Sequence, residues 1–308
     1  MESVKNKRRK NQRILKFTKK YFILITITIG ILVAVTLPSL FLFNDAFKGS
    51  SIDANNASQF GSFVGGYIGC ILSFISITFL LITLREQKLA NYYQSFENKF
   101  FEMIKLHRDN LKEAGGRKLF VNLIREFREI HKNIKDIFTD YPEITFTNEE
   151  LFSISFTVLF YGIGPNSSRE LRCALKKYKS SFVDTVINRF EDRRLKRETQ
   201  KSRSFPYVPF EGHQSRLGHY FCHLYQTICY VDGQKSLLFE QKYSYIKIVR
   251  AQLSTHELAV LFVNSLTDMG KSWDKQGLIQ DYCLIKNLPE DFFDREREID
   301  VKEKYSVN

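Results

Sequence analysis

The sequence predicts an all-α protein: an N-terminal hairpin of two transmembrane helices followed by a cytoplasmic bundle of several helices. Two observations carry this. Residues 21–43 and 60–84 are apolar stretches without a single Asp, Glu, Lys or Arg. Beyond them, apolar residues recur at spacings of three and four, as on one face of a helix, and strand-like alternation is scarce. At about 1.5 Å rise per residue, the two stretches reach roughly 34 and 37 Å, enough to cross a hydrocarbon core about 30 Å thick.

The elements follow in order. Residues 1–20 form a basic arm with nine Lys/Arg against one acid, Glu2, and supply +8 of the chain's +12 net charge. Residues 44–59 are a short polar link holding one lysine, Lys48, while Arg85 and Lys88 follow the second span directly. Positive residues stay on the cytoplasmic side of a bilayer. Both termini are therefore expected in the cytoplasm, the 44–59 loop outside, and the chain multi-pass in its membrane. The arm then lies against anionic lipid headgroups. Within the second span Gly61, Gly65, Gly69 and Ser73 recur every fourth residue. On a helix they make a shallow stripe that lets another helix backbone approach closely, which predicts packing against the first span or a homo-oligomer.

Residues 85–290 are expected to be the cytoplasmic domain, with possible subdivision near the Pro206/Pro209 loop at 205–212, and residues 291–308 a charged tail. Phe96, Phe100, Met103, Ile104, His107 and Leu111 extend the second span as a stalk that ends at Gly115-Gly116. Further helices are predicted over 118–138, from the capping box Thr147-x-x-Glu150 through Phe160, and as one long helix over 168–201. Four more are placed near 213–231, 236–252, 255–268 and 275–287, with Ser254-x-x-Glu257 capping the third of these. Seven basic residues between Arg189 and Arg203 read as a solvated helix face, with lipid or RNA as sharper alternatives.

Several function classes are disfavoured by this pattern. The absence of ionisable residues within the spans argues against a proton or ion relay. Five scattered cysteines without a CxxC pair read as reduced cytosolic thiols, not a disulfide framework. No cofactor signature is found.

The most distinctive segment is Phe210 to Gln226, part of a stretch carrying four of the six histidines. At 100° per residue Arg216, His219, His223, Gln226 and Tyr230 share one face of a helix, and His213 sits at its start. Leu217, Phe221, Leu224 and Ile228 form the apolar face. His219 and His223 at i, i+4 resemble half a zinc site, but zinc takes at least three protein ligands and no HExxH glutamate is present. No metal is therefore assigned. Arg216 and His223, six residues apart, resemble the Arg-x(4–6)-His motif of the all-helical HEPN ribonucleases. That resemblance implies the histidine as acid/base and the arginine as a stabiliser of phosphate charge. A hydrogen-bonded packing network is the alternative for the whole face.

The segments Gly212 to Gln226, Tyr245 to Ser254 and His256 to Ser265, with the glycine-rich second span and Phe96-Glu-x-x-Phe100-Phe101, resemble the phage abortive-infection proteins of the AbiC-like kind. The resemblance covers most of residues 60–270. It implies antiphage defence at the bacterial inner membrane, with arrest or death of the infected cell after an unidentified phage or host trigger. The expectation is a membrane-disrupting effector built on oligomerising hairpins. The alternative is a tethered ribonuclease using Arg216 and His223, with RNA as its partner.

Overall fold

The computed structural model describes residues 54–143, 145–289 and 291–293, together with Thr28, Gly30, Ile31, Leu32, Val35, Thr36, Ser39 and Phe43. The expected basic arm, most of the first span, the loop up to residue 53 and the tail beyond residue 293 lie outside these residues. The described residues are helical, with no strand among them. All five cysteines are unpaired.

The chain forms two compact units, residues 1–95 and 96–308. The first unit is dominated by the start of α1 (Ala54–Glu113), a continuous helix of 60 residues. It begins six residues before the expected span, so the end of the predicted loop is helical. An 18-residue window of α1 has a mean hydropathy of 2.3 and none of that window is buried. This is the one helix among the described residues long and apolar enough to cross a membrane. Of the first expected span, Thr28, Gly30, Ile31, Leu32, Val35, Thr36 and Ser39 are helical. The first of the two expected membrane helices, over residues 21–43, is thus not established, whereas the all-helical class is. A Cβ placed on Gly30 would sit 3.7 Å from Ile75 Cδ1, whereas one on Gly61, Gly65 or Gly69 would meet nothing within 4 Å. Among the described residues the glycine stripe is open.

The second unit contains the core. α2 (Arg117–Thr139) packs on α3 (Asn148–Tyr161) and on α9 (Thr255–Ser265). The stripe read from the sequence, Phe120, Leu123, Ile124, Phe127, Ile130, Ile134 and Ile137, is buried throughout. α3 and α9 are each apolar on nearly every side and lie inside. Both predicted capping boxes form. Thr147 accepts from the Glu150 N–H while Glu150 takes the Thr147 N–H, and Ser254 and Glu257 repeat the exchange.

Two predicted helices are corrected. The 168–201 helix is three: α4 (Ser167–Ala174), α5 (Ser180–Glu191) and α6 (Arg193–Arg203). Asp192 takes an extended ψ and its carboxylate caps Arg194 N–H, starting a new helix where continuity was expected. The break lets α5 bury Phe182, Val186 and Phe190 while α6 stays outside with only Thr199 buried. The expected 275–287 helix is reduced to a single turn, α11 (Leu278–Asp281), and a separate short helix, α10 (Lys271–Lys275), precedes it. Gly277 at φ 65° and Cys283 at φ 48° interrupt the helical backbone there. The remaining elements, α7 (Gln214–Asp232) and α8 (Phe239–Gln252), fall close to expectation. α9 stops at Ser265, short of the predicted 268, and a 3₁₀ turn at Asp268–Gly270 follows.

Candidate functional site

The position of α7 is set by the segment before it. Phe210 and Gly212 have positive φ, 69° and 90°, and the segment runs against the end of α3. Ile163 N–H donates to Phe210 O at 2.7 Å, and His213 N–H to Phe160 O at 2.9 Å. The approach is so close that a Cβ on Gly212 would lie 2.2 Å from Tyr161 O, and one on Gly162 2.1 Å from Glu211 C. Glycine is required at both positions by space and by φ.

Beneath this segment lies Glu126, fully buried on α2. Its carboxylate accepts from Phe210 N–H at 2.7 Å and Tyr207 Oη–H at 2.9 Å, and pairs with His213 Nε2 at 2.9 Å. Burial and then the Glu126 charge push the Tyr207 phenol far above its ordinary value, which keeps it a donor. His213, read from sequence as an adjunct of the polar face, is therefore part of a buried clamp joining α2 to the start of α7.

The polar face itself opens onto a cleft of about 450 Å³. Ser215, Arg216, Leu217, His219, Tyr220 and His223 of α7 form one wall, and Asn110, Glu113 and Ala114 of α1 with Leu119 and Phe120 of α2 the other. Arg216 and His219 are exposed and His223 is half-buried. Gln226 is exposed without lining the cleft. Tyr230 turns away from it, stacking on Phe96 at 5.4 Å with the Lys99 ammonium 5.0 Å from its ring. Of the sequence-predicted face, three residues meet at the cleft and the others do not.

The floor brings in groups the sequence reading had not assigned to the site. The Tyr220 ring packs between Phe120 at 4.7 Å and His107 at 4.8 Å. Its hydroxyl donates to the buried Glu257 at 3.0 Å, the carboxylate that also caps α9. Burial, reinforced by that carboxylate, raises the Tyr220 phenol well above the usual range. His107 is 4 % exposed, and neither ring nitrogen has a hydrogen-bond partner; His223 Nδ1 is buried and unpartnered as well. Burial lowers the His107 pKa below its usual value, His223 adds to the effect, and Glu257 opposes it. His107 is thus neutral near pH 7 and offers one donor and one acceptor. Each such group left unsatisfied costs about 1–3 kcal/mol. His107 had been visible only as a member of the stalk's apolar stripe; a histidine in register with Phe100 and Ile104 was the available signal.

Cationic, titratable and hydrogen-bonding groups thus converge over an apolar floor, an arrangement suited to holding an anion or a polar small molecule. Among the described residues no group of three metal-ligating side chains occurs. What the described residues define is an all-helical body with a polar cleft on a histidine-bearing helix. Residues 212–293, from the start of α7 to the end of the described chain, match the family model described as "Putative phage abortive infection protein". The matched region contains the whole α7 wall of the cleft, while the α1 and α2 wall lies outside it. The match supports a part in phage abortive infection. Neither the curated proteins nor the solved structures contain a significant match.

Proposed function

We infer that this protein is a membrane-anchored abortive-infection effector, acting through oligomerisation of its membrane segment. The observation that carries the reading is the apolar part of α1. Phe63, Tyr67, Leu72, Phe74, Ile77, Leu80 and Leu81 are all exposed, a patch far larger than a helix surrounded by water tolerates. Its glycine stripe is open, so a second copy of the helix can approach at backbone distance. In this reading the hairpin spans the inner membrane with both termini cytoplasmic, and the basic arm contacts anionic headgroups. Assembly on infection then breaches the membrane and stops the cell. The test is the double substitution Gly65→Ile and Gly69→Ile, with insertion, abundance and phage protection measured together. Loss of protection with normal insertion is expected. Full protection by an inserted, abundant double variant would remove the glycine stripe from the mechanism.

A second reading is favoured by one observation: Arg216 and His223 line the same wall of one cleft. In this reading the body is a HEPN-like, metal-independent ribonuclease and the membrane segment only tethers it. RNA integrity and membrane potential, followed in the same infected cells, separate the two. Depolarisation with intact RNA is expected from the first reading. RNA cleavage that precedes depolarisation and vanishes in His223→Ala is expected from the second.

A further inference from the structure

We propose that the cleft between α1, α2 and α7 is a binding site for a small phosphate ester of nucleotide size. The inference rests on the cleft alone; it is independent of the membrane reading and competes with the ribonuclease reading, which places RNA in the same cleft.

The volume of about 450 Å³ accommodates a mononucleotide but not a folded macromolecule. The α7 wall presents Arg216 and His219, both exposed and, among the described residues, without a side-chain hydrogen bond or ion pair. A guanidinium beside an imidazole is a phosphate-binding pair, since both donate and the arginine fork matches two phosphate oxygens. The opposite wall carries Glu113, which repels a phosphate placed against it and so directs the anion to α7. Glu113 and Asn110 are instead suited to hydroxyl or amino groups on the far part of the ligand.

The apolar floor of Leu119, Phe120, Leu217 and Tyr220 lies between these walls, where a planar or apolar group can rest. His107, packed against Tyr220, has two buried ring nitrogens, and His223 of the cleft wall a buried Nδ1, that find no hydrogen-bond partner among the described residues. His223 belongs to the cleft wall, and His107 lies close enough for the two rings to influence each other's charge. Buried polar groups are nearly always satisfied, so unsatisfied ones next to a cleft point to a polar occupant.

The full-length protein in detergent micelles is titrated calorimetrically with AMP, ribose 5-phosphate, inorganic phosphate and adenosine. AMP is expected to bind most tightly, at least about tenfold better than adenosine, a difference of about 1.4 kcal/mol. Arg216→Ala, at an exposed position that leaves the fold intact, should weaken AMP by about tenfold or more, in the range of a charge-assisted hydrogen bond. His107→Phe, which keeps the ring packing and removes both nitrogens, should weaken it several-fold. Arg197→Ala, a cation on the outer helix α6, should leave AMP binding unchanged and so exclude a general charge effect. The absence of measurable binding by any probe would overturn the proposal, as would undiminished AMP affinity in Arg216→Ala. A single-stranded oligoribonucleotide that binds in an Arg216-dependent way without competition from AMP would also overturn it, and would assign the cleft to RNA.

Discussion

Replacing Glu126 with leucine tests whether the buried clamp holds α7, and with it the cleft, in place. Leucine is close in volume, so the effect is dominated by hydrogen bonds and not by a cavity. The substitution leaves Phe210 N–H, Tyr207 Oη–H and His213 Nε2 without the carboxylate that receives them at 2.7, 2.9 and 2.9 Å. His213 is 4 % exposed and Phe210 wholly buried, so water cannot readily replace the lost acceptor. Each orphaned group costs about 1–3 kcal/mol. Relief of the buried carboxylate's own desolvation offsets part of the sum. A net loss of about 3–5 kcal/mol is expected, the range found when one partner of a buried pair is removed. Glu126→Gln retains an acceptor for Phe210 N–H and can donate to the histidine, so about 1–2 kcal/mol is expected. Chemical denaturation of the full-length protein in micelles, followed through the near-ultraviolet signal of the body's aromatic residues, gives both numbers. A Glu126→Leu variant destabilised by less than about 1 kcal/mol would refute the claim that the clamp sets the start of α7. His213→Ala should fall between the two, since it orphans one side of the carboxylate while leaving the other contacts in place.

Gly212→Ala forces a methyl into the carbonyl of Tyr161 at φ 90°, and about 3 kcal/mol or more is expected, measurable as reduced abundance and a lower Tm. Ser254→Ala removes the acceptor for Glu257 N–H and should cost about 1 kcal/mol by the same assay. His107, whose folded pKa lies below its unfolded value of 6.5, gives stability a defined pH dependence. The unfolded chain binds the proton more readily, so this part of the stability is complete above about pH 6.5 and declines as pH falls towards the folded pKa. His256 shifts in the same direction, under burial and the charges of Arg128 and Arg125, and contributes with the same sign. Denaturation midpoints between pH 7.5 and 5 should therefore fall less steeply in His107→Phe than in the parent; an unchanged slope would count against the lowered pKa.

Helical periodicity made most of the body legible. The α2 stripe, the two capping boxes and the ends of α3 and α7 follow from local spacing and local hydrogen bonding, which act within a few residues. The 168–201 segment was misread because an amphipathic pattern tolerates a break. Asp192 in mid-pattern looks like one more charged residue until the need to point α5 inward and α6 outward makes it a cap. Gly277 and Cys283 broke the last predicted helix in the same way, through backbone angles that spacing does not reveal.

The cleft shows the same division. Arg216, His219 and His223 could be placed on one face from sequence, because 100° per residue is a property of the helix alone. That Gln226 and Tyr230 continue the face but leave the cleft depends on where α1 ends and α2 begins against α7. His213 was one residue from the helix and looked like a neighbour of the site. The close approach of Gly162 and Gly212 turned it onto Glu126, 87 positions earlier in the chain. Long apolar runs and basic flanks need no partner to be read, so the sequence by itself determined the all-helical class, the apolar length of α1 and the composition of the polar face. Which histidines are buried, which carboxylates they meet and which walls enclose the cleft are pairings between distant segments, and only the tertiary packing of α1, α2, α7 and α9 decided them.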